Sequence, residues 1–194
     1  MRGRFASLIL IASSAALCAQ APPAWRIRDT PSALRPVVAR ADLVIATMHD
    51  AVLRELSAEF AEGGPELAIK SAHLDSAQVT HRLAREGVVA GRTSDRLRNP
   101  TNIAPAWAAA IVKANAGRRI RGVEGFSVDL GDRLGVIRPV VERGICANCH
   151  GPAESLSPAV RAVLSERYPA DKAVGFVEGE IRGWFWVEMP KHPR

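Results

Sequence analysis

The most informative stretch of this chain is Gly144-Ile145-Cys146-Ala147-Asn148-Cys149-His150-Gly151. It contains the pattern C-x-x-C-H, the covalent attachment motif of c-type haem. Two thiols three positions apart can add to the two vinyl groups of one porphyrin. The histidine that follows is then placed to bind the iron as its proximal ligand. We therefore predict one covalent haem c (iron) on Cys146 and Cys149, with His150 as an iron ligand.

Two other uses of the thiol pair have to be weighed. Cys18 lies in the first 21 residues, so Cys146 and Cys149 are the cysteines that remain once that segment is removed. In an oxidising compartment such thiols are expected to form a disulfide unless something else uses them. A redox-active C-x-x-C normally opens a helix near the start of a βαβ unit, whereas this one follows two apparent strands. Zinc would need two further ligands at suitable spacing.

The N-terminus indicates export. Residues 1–21 begin with Arg2 and Arg4 and continue as a short apolar run that ends in small residues, the pattern of a secretory signal peptide. The run is too short for a comfortable membrane span. We predict a periplasmic or secreted protein, with no stable membrane span after signal removal. A lipoprotein is disfavoured, because Leu17 precedes Cys18 where a lipobox has a small residue.

Composition suits one domain with a sizeable core. The chain has 194 residues, 47% of them hydrophobic, and a formal net charge of +6. Removing Arg2 and Arg4 leaves 6 − 2 = +4. The basic residues are scattered among acids, so we expect no nucleic-acid binding. The expected partner is a redox or signalling protein, and the apolar first helix leaves a homodimer open.

The order of periodicities predicts an α+β fold. Helical spacing of apolar residues precedes β-branched and alternating stretches, and no βαβ repeat is visible. After a linker or arm over residues 22–31, we expect N-terminal helices packed on an antiparallel sheet of about four strands. The predicted helices span residues 32–60, 65–87, 107–116 and 157–167. The predicted strands span residues 123–130, 134–141, 173–177 and 181–188, the last two forming a closing hairpin.

Four segments together resemble a known family. They are Ala68-Ile69, the loop of residues 91–102 with Trp107, the C-x-x-C-H-G stretch, and residues 168–183. With these residues the chain resembles the single-haem c-type family that carries a PAS-like fold. Its members occur as free periplasmic cytochromes and as extracytoplasmic input regions of bacterial signalling proteins. The resemblance implies a PAS-like haem domain over residues 32–194.

The resemblance also bears on the sixth iron ligand. In one type of member the ligands are a histidine and a cysteine thiolate, and that cysteine follows the Ala-Ile pair by a few residues. This chain has no cysteine near Ala72, and the neighbouring His73 is our prediction for the second metal ligand. His81, Met48 and a vacant or water-bound position stay open as alternatives.

The haem propionates are anions that need hydrogen-bond donors. Arg92, Arg96 and Arg98 lie in one polar loop and can supply forked hydrogen bonds, while Asn99 can order that loop. Aromatic side chains could line the haem or simply fill the core. These aromatic candidates are Trp107, Trp184, Phe185 and Trp186.

The predicted function is that of a periplasmic haem protein acting in one-electron transfer or redox sensing, and not a turnover enzyme. A gas or small-ligand sensor would need a labile or vacant sixth position. A thiol-disulfide oxidoreductase would use Cys146 and Cys149 without haem. A peroxidase ranks last, because no distal His/Arg pair stands out by spacing.

Overall fold

The computed structural model describes residues 22–71 and 87–192. Within these ranges the chain forms one five-stranded antiparallel sheet with the order β1-β3-β4-β5-β2 and helices on both faces. The α+β prediction is therefore confirmed, with one strand more than the approximate number expected. The strands are β1 (Ala24–Arg26), β2 (Val89–Thr93), β3 (Phe126–Asp129), β4 (Arg133–Val141) and β5 (Ile181–Pro190). The helices are α1 (Arg35–Ser71), α2 (Ala106–Ala114), α3 (Ala147–His150) and α4 (Pro158–Arg167).

The N-terminal arm is part of the sheet. β1 pairs antiparallel with β3, Trp25 lying opposite Ser127, and the hydroxyls of Thr30 and Ser127 share a buried hydrogen bond of 2.8 Å. Within residues 22–31, which the sequence indicates as a linker or arm, Ala24–Arg26 form an edge strand and Ile27–Asp29 a 3-10 turn. Too few apolar residues alternate there for a strand to be recognised from the sequence.

The first helix is interrupted where the sequence predicts it. Gly63 and Gly64 leave helical geometry inside α1, and Gly64 has φ 70°, a left-handed conformation that glycine adopts at low cost. Pro65 then opens the second segment, as a proline in a first helical turn can. The helix begins at Arg35, and Ser32–Leu34 form a 3-10 turn where an N-cap at Ser32 is expected.

The two faces of the sheet carry separate cores. Along β5, Phe185 and Val187 face α1, while Trp184 and Trp186 face α2. On the α1 side, Arg138 of β4 makes a two-pronged contact with the carboxylate of Asp42, at 2.8 and 2.6 Å. Planar guanidinium–carboxylate pairing of this kind fixes the helix relative to the strand as well as attracting it.

A third apolar cluster joins the end of α1 to α4 and to the C-x-x-C-H segment. Ile69 packs with the apolar face of α4, and Cys149 contacts the same cluster. Ser157 caps α4 by accepting a 3.1 Å hydrogen bond from the Val160 amide, which stabilises a helix by about 1 kcal/mol. The cluster therefore connects the haem-motif region to the helices. Its members from α4 and the preceding turn are Leu156, Val160, Val163 and Leu164.

Two local predictions are wrong. Residues 91–93 belong to β2 instead of a loop, and residues 173–177 are not a strand. β5 is already paired with β4 on one side and with β2 on the other, so it offers no edge to a hairpin partner. In the part of the chain that is described, no helix is long and apolar enough to cross a membrane.

The turn between β3 and β4 yields a test of acid stability. Lys191 donates a 2.6 Å hydrogen bond to Asp129 Oδ1, and this contact, with the Gly131 amide, lowers the pKa of Asp129. A lowered folded-state pKa stabilises the fold above the unfolded pKa, and this contribution disappears as the pH falls through the folded value. We expect Asp129→Asn to lower the free energy of unfolding at pH 7 by less than about 1 kcal/mol.

Urea denaturation at pH 7 and across the acid range measures this effect. The difference between wild type and Asp129→Asn should vanish at the acid end. Asp132→Asn, in the same exposed turn, is the matched control and should behave like wild type. A difference for Asp129→Asn that persists unchanged to the lowest pH would contradict the ion-pair explanation.

Candidate functional site

The C-x-x-C-H stretch forms a compact turn-helix unit. A 3-10 turn over Gly144–Cys146 leads into the four-residue helix α3, and the Gly151 amide closes the unit on the Ala147 carbonyl at 3.1 Å. A Cβ atom added to Gly151 would lie 2.7 Å from that carbonyl oxygen. The glycine after the histidine is therefore required by close packing, since no larger side chain fits there.

Both ring nitrogens of His150 have a hydrogen-bond partner. Its Nδ1 lies 2.7 Å from the Ala173 carbonyl, a contact that requires Nδ1 to be the protonated donor. Nε2 therefore carries the lone pair, and it lies 3.3 Å from Nη1 of Arg182. Burial, then Arg182 and Arg98, hold the pKa of His150 well below its usual value. Neutral imidazole with this tautomer is the form that binds iron.

A segment without regular secondary structure, residues 171–176, lies against α3, and we call it the strap. The Gly175 amide donates to the Gly151 carbonyl at 2.8 Å, and the Phe176 amide donates to the His150 carbonyl at 3.0 Å. The Phe176 ring meets the His150 ring edge-on, with centroids 6.3 Å apart. These contacts hold the strap against α3 instead of the sheet.

Both thiols are unpaired and close to Arg182. Cys146 and Cys149 form no disulfide in this structure, and Arg182 Nη2 lies 4.0 Å from Cys146 Sγ. Burial raises the pKa of Cys149, which makes its thiol less reactive. Among the residues described, no group of three or more His, Cys, Asp or Glu side chains could hold a metal ion.

A cluster of buried charge faces the same region. Arg182 forms an ion pair with Glu142, Nε to Oε2 at 3.0 Å, and only 1% of the Glu142 side chain is exposed. Burial raises the pKa of Glu142. Arg92, on β2, has its pKa lowered by burial and by the repulsion of Arg182. Within residues 22–71 and 87–192, neither Arg92 Nε nor Glu142 Oε1 finds a hydrogen-bond partner.

The other two arginines of the predicted donor loop are engaged elsewhere. Arg96 pairs with Glu180, donates to the Val174 carbonyl at 3.1 Å and lies over the Phe176 ring. Arg98 binds Asp171 and the carbonyls of Cys149 and Ala173. Both side chains fasten the strap. Their placement favours this role, while Arg92 is the predicted arginine that lies near Arg182.

The aromatic candidates divide between the two faces of the sheet. Trp107 donates a 2.9 Å hydrogen bond to Glu188 and, like Trp184 and Trp186, belongs to the α2 side. Phe185 belongs to the α1 side with Arg92, its cross-strand partner. Asn99 orders its own turn, its side chain accepting from the Thr101 amide and hydroxyl at 2.9 and 2.8 Å.

The candidates for the sixth iron ligand differ in whether the structure describes them. His73 and His81 lie outside the described residues. α1 is described as far as Ser71, two positions before His73, and Ile69, four positions before it, packs in the cluster that contacts Cys149. Met48 is 1% exposed and is packed in the core between α1 and the sheet. This packing favours a core role for Met48.

Sequence reasoning missed three residues that shape the site. Glu142 ends a β-branched run and gives no periodic signal, and Ala173 acts through its carbonyl, which any residue carries. Arg182 lies in the closing segment of the resemblance, but its contact with His150 depends on a register shift between Val140 and Val141 in the β4–β5 pair.

Comparisons with known proteins agree with this architecture. A family model described as Tll0287-like matches residues 27–190, and no curated protein matches the chain. The cyanobacterial heme-protein Tll0287, a solved structure, has 22% sequence identity and a TM-score of 0.56, over 85% of this chain and 99% of that chain. This likeness supports a shared fold, and the family match confirms the resemblance found in the sequence. The chain belongs to the Tll0287-like family.

Proposed function

We propose that this protein is a periplasmic haem protein with one covalently attached haem c, acting in one-electron transfer or redox sensing with a separate partner. The observation that carries the proposal is the tautomer of His150, which its Nδ1 hydrogen bond fixes. Its Nδ1 donates to the Ala173 carbonyl at 2.7 Å. Nε2, on the same short helix as Cys149, therefore carries the lone pair that would bind iron in place of its 3.3 Å contact with Arg182. The solved relative is itself a heme protein, which supports the same cofactor here.

The chain's own residues fit this group. Cys146 and Cys149 would form the two thioether links, His150 would bind the iron, and His73 would supply the second ligand. A bound haem would supply a one-electron couple. The protein would fix the ligand tautomer through the Ala173 carbonyl and limit solvent access through the strap and the α1–α4 cluster.

The buried charges fit the haem's acidic edge. Arg92 and Arg182 are close enough that Arg182 lowers the pKa of Arg92, and the nearby buried acid Glu142 has a raised pKa. Burial and repulsion from Arg182 outweigh the attraction of Glu55 at Arg92, so its buried positive charge is costly and an additional anion would offset that cost. Propionates supply such anions, and forked guanidinium groups are suited to bind them. This assigns Arg92 and Arg182, in place of Arg96 and Arg98, as the propionate donors.

The ligand set and the redox role can be tested by visible spectroscopy. The mature protein, made in cells with the cytochrome c maturation machinery, should show sharp low-spin bands in both oxidation states and little response to carbon monoxide. His73→Ala should become high-spin and bind carbon monoxide, because a strong protein ligand has been removed. His49→Ala, which changes a histidine of α1, is the control and should keep the wild-type spectrum.

Three other results would contradict parts of this proposal. A wild-type protein that is already high-spin and binds carbon monoxide readily would exclude His73 as a ligand and favour gas sensing. A covalent haem that stays low-spin in His73→Ala would move the ligand to another residue. An exported protein without visible absorbance would leave the C-x-x-C disulfide as the function.

The propionate assignment can be tested by the sign of a stability change. If Arg92 binds no haem propionate, its removal should raise the free energy of unfolding, because burial and repulsion from Arg182 outweigh its attraction to Glu55. If Arg92 binds a propionate, Arg92→Met in the haem-loaded protein should instead lower it by about 1.5–3 kcal/mol. Guanidinium denaturation followed by circular dichroism measures the change. Arg143→Met, at an exposed position, should stay within about 0.5 kcal/mol of wild type.

A further inference from the structure

Arg98 makes a three-point contact behind the haem-binding stretch. Its Nε donates to Asp171 Oδ2 at 3.0 Å, and its Nη2 donates to the Cys149 carbonyl at 2.6 Å and to the Ala173 carbonyl at 3.3 Å. The side chain is 15% exposed and that of Asp171 is 9% exposed. The guanidinium therefore joins α3 to the strap from a position largely withdrawn from solvent.

The Ala173 carbonyl is the meeting point of two donors. His150 Nδ1 binds it at 2.7 Å, and Arg98 Nη2 approaches the same oxygen at 3.3 Å. A carbonyl oxygen that also receives a charged donor has less electron density to offer the imidazole N–H. The Nδ1 proton then stays more firmly on the ring, and the ring is a weaker electron donor through Nε2. Hydrogen bonds to the outer nitrogen of a histidine ligand tune the metal in this way.

Asp171 fixes both parts of this arrangement. One carboxylate oxygen accepts from Arg98 Nε, and the other accepts from the Ala173 amide at 2.8 Å. The position of the Ala173 carbonyl and the direction of the Arg98 fork are therefore set by the same carboxylate. A lysine could keep the positive charge, but its single ammonium lacks the fixed planar fork that presents Nε and Nη2 together.

We propose that Arg98 is a positioning residue for the iron ligand His150, acting through the Ala173 carbonyl, and that this contact raises the reduction potential of the haem. The inference rests on the proposed function, since it needs a haem bound by His150. It goes further by giving the Arg98–Asp171 pair, outside the haem pocket, control over the ligand's donor strength. Loss of the fork strengthens the bond from Nδ1 to the carbonyl and favours the ferric state.

The test is potentiometric titration of the haem-loaded protein as wild type, Arg98→Lys and Arg98→Met. At a fixed applied potential, both variants should shift the ferric-to-ferrous ratio toward ferric by about tenfold, which corresponds to about 59 mV for one electron. The ferric electron paramagnetic resonance g-values should move as well, because the ring's donor strength changes. Arg161→Met, which removes another arginine bound to backbone carbonyls, is the matched control and should leave both readouts unchanged.

Arg98→Lys distinguishes an effect of the planar guanidinium fork from an effect of positive charge alone. A wild-type potential and wild-type g-values in Arg98→Lys would overturn the inference, because charge alone would then explain Arg98→Met. A shift in Arg161→Met equal to that in Arg98→Met would also overturn it. Wild-type protein without covalent haem would refute the proposed function first, whereas haem attachment in every variant with unchanged potentials would refute this inference alone.

A measurement on the wild type keeps the inference open to refutation if an Arg98 variant does not fold. In ¹⁵N NMR spectra of the ferrous protein, the Nε–H of Arg98 and the Nδ1–H of His150 should exchange slowly with solvent, because both are held in hydrogen bonds. Exchange of the Arg98 Nε–H as fast as that of an exposed arginine would overturn the inference.

Discussion

The hydrogen bond between His150 Nδ1 and the Ala173 carbonyl is the contact on which the site depends. It selects the tautomer that leaves Nε2 as an electron-pair donor, and it joins the C-x-x-C-H helix to a strap that is distant in sequence. The strap is fastened in turn by Arg96, Arg98 and Asp171. The His150 ring is therefore oriented without a cofactor, so little ordering entropy would be lost on binding one.

The fold was largely predictable because its local signals agree with one another. The break at Gly63 and Gly64, the capped helix α4 and the long strand β4 follow from residue types whose preferences the tertiary structure does not oppose. The sequence predicts a strand over residues 173–177 because a short apolar stretch has the same residue pattern in a strand and in the strap. Only its partners distinguish them, and these partners are two carbonyls of the C-x-x-C-H-G stretch.

The site was predictable where chemistry fixes spacing and unpredictable where the fold brings residues together. Two thiols and a histidine must be adjacent to serve one haem, so the sequence displays them. The arginines that are close in sequence instead lie in different places. Arg92 lies on β2 and faces α1, while the Arg98 side chain contacts the strap. Arg182 reaches His150 from the irregular end of β5. Residues that the sequence treats as equivalent thus lie in different surroundings in the structure.

The account depends most on the claim that the oriented His150 serves a haem attached to its own helix segment. Intact mass spectrometry of the mature protein under denaturing conditions, from cells with the cytochrome c maturation machinery, tests this directly. The predicted result is the polypeptide mass plus one haem, carried on the peptide that contains Cys146 and Cys149. A polypeptide without haem, lighter by its two thiol hydrogens, would contradict the account and identify a disulfide.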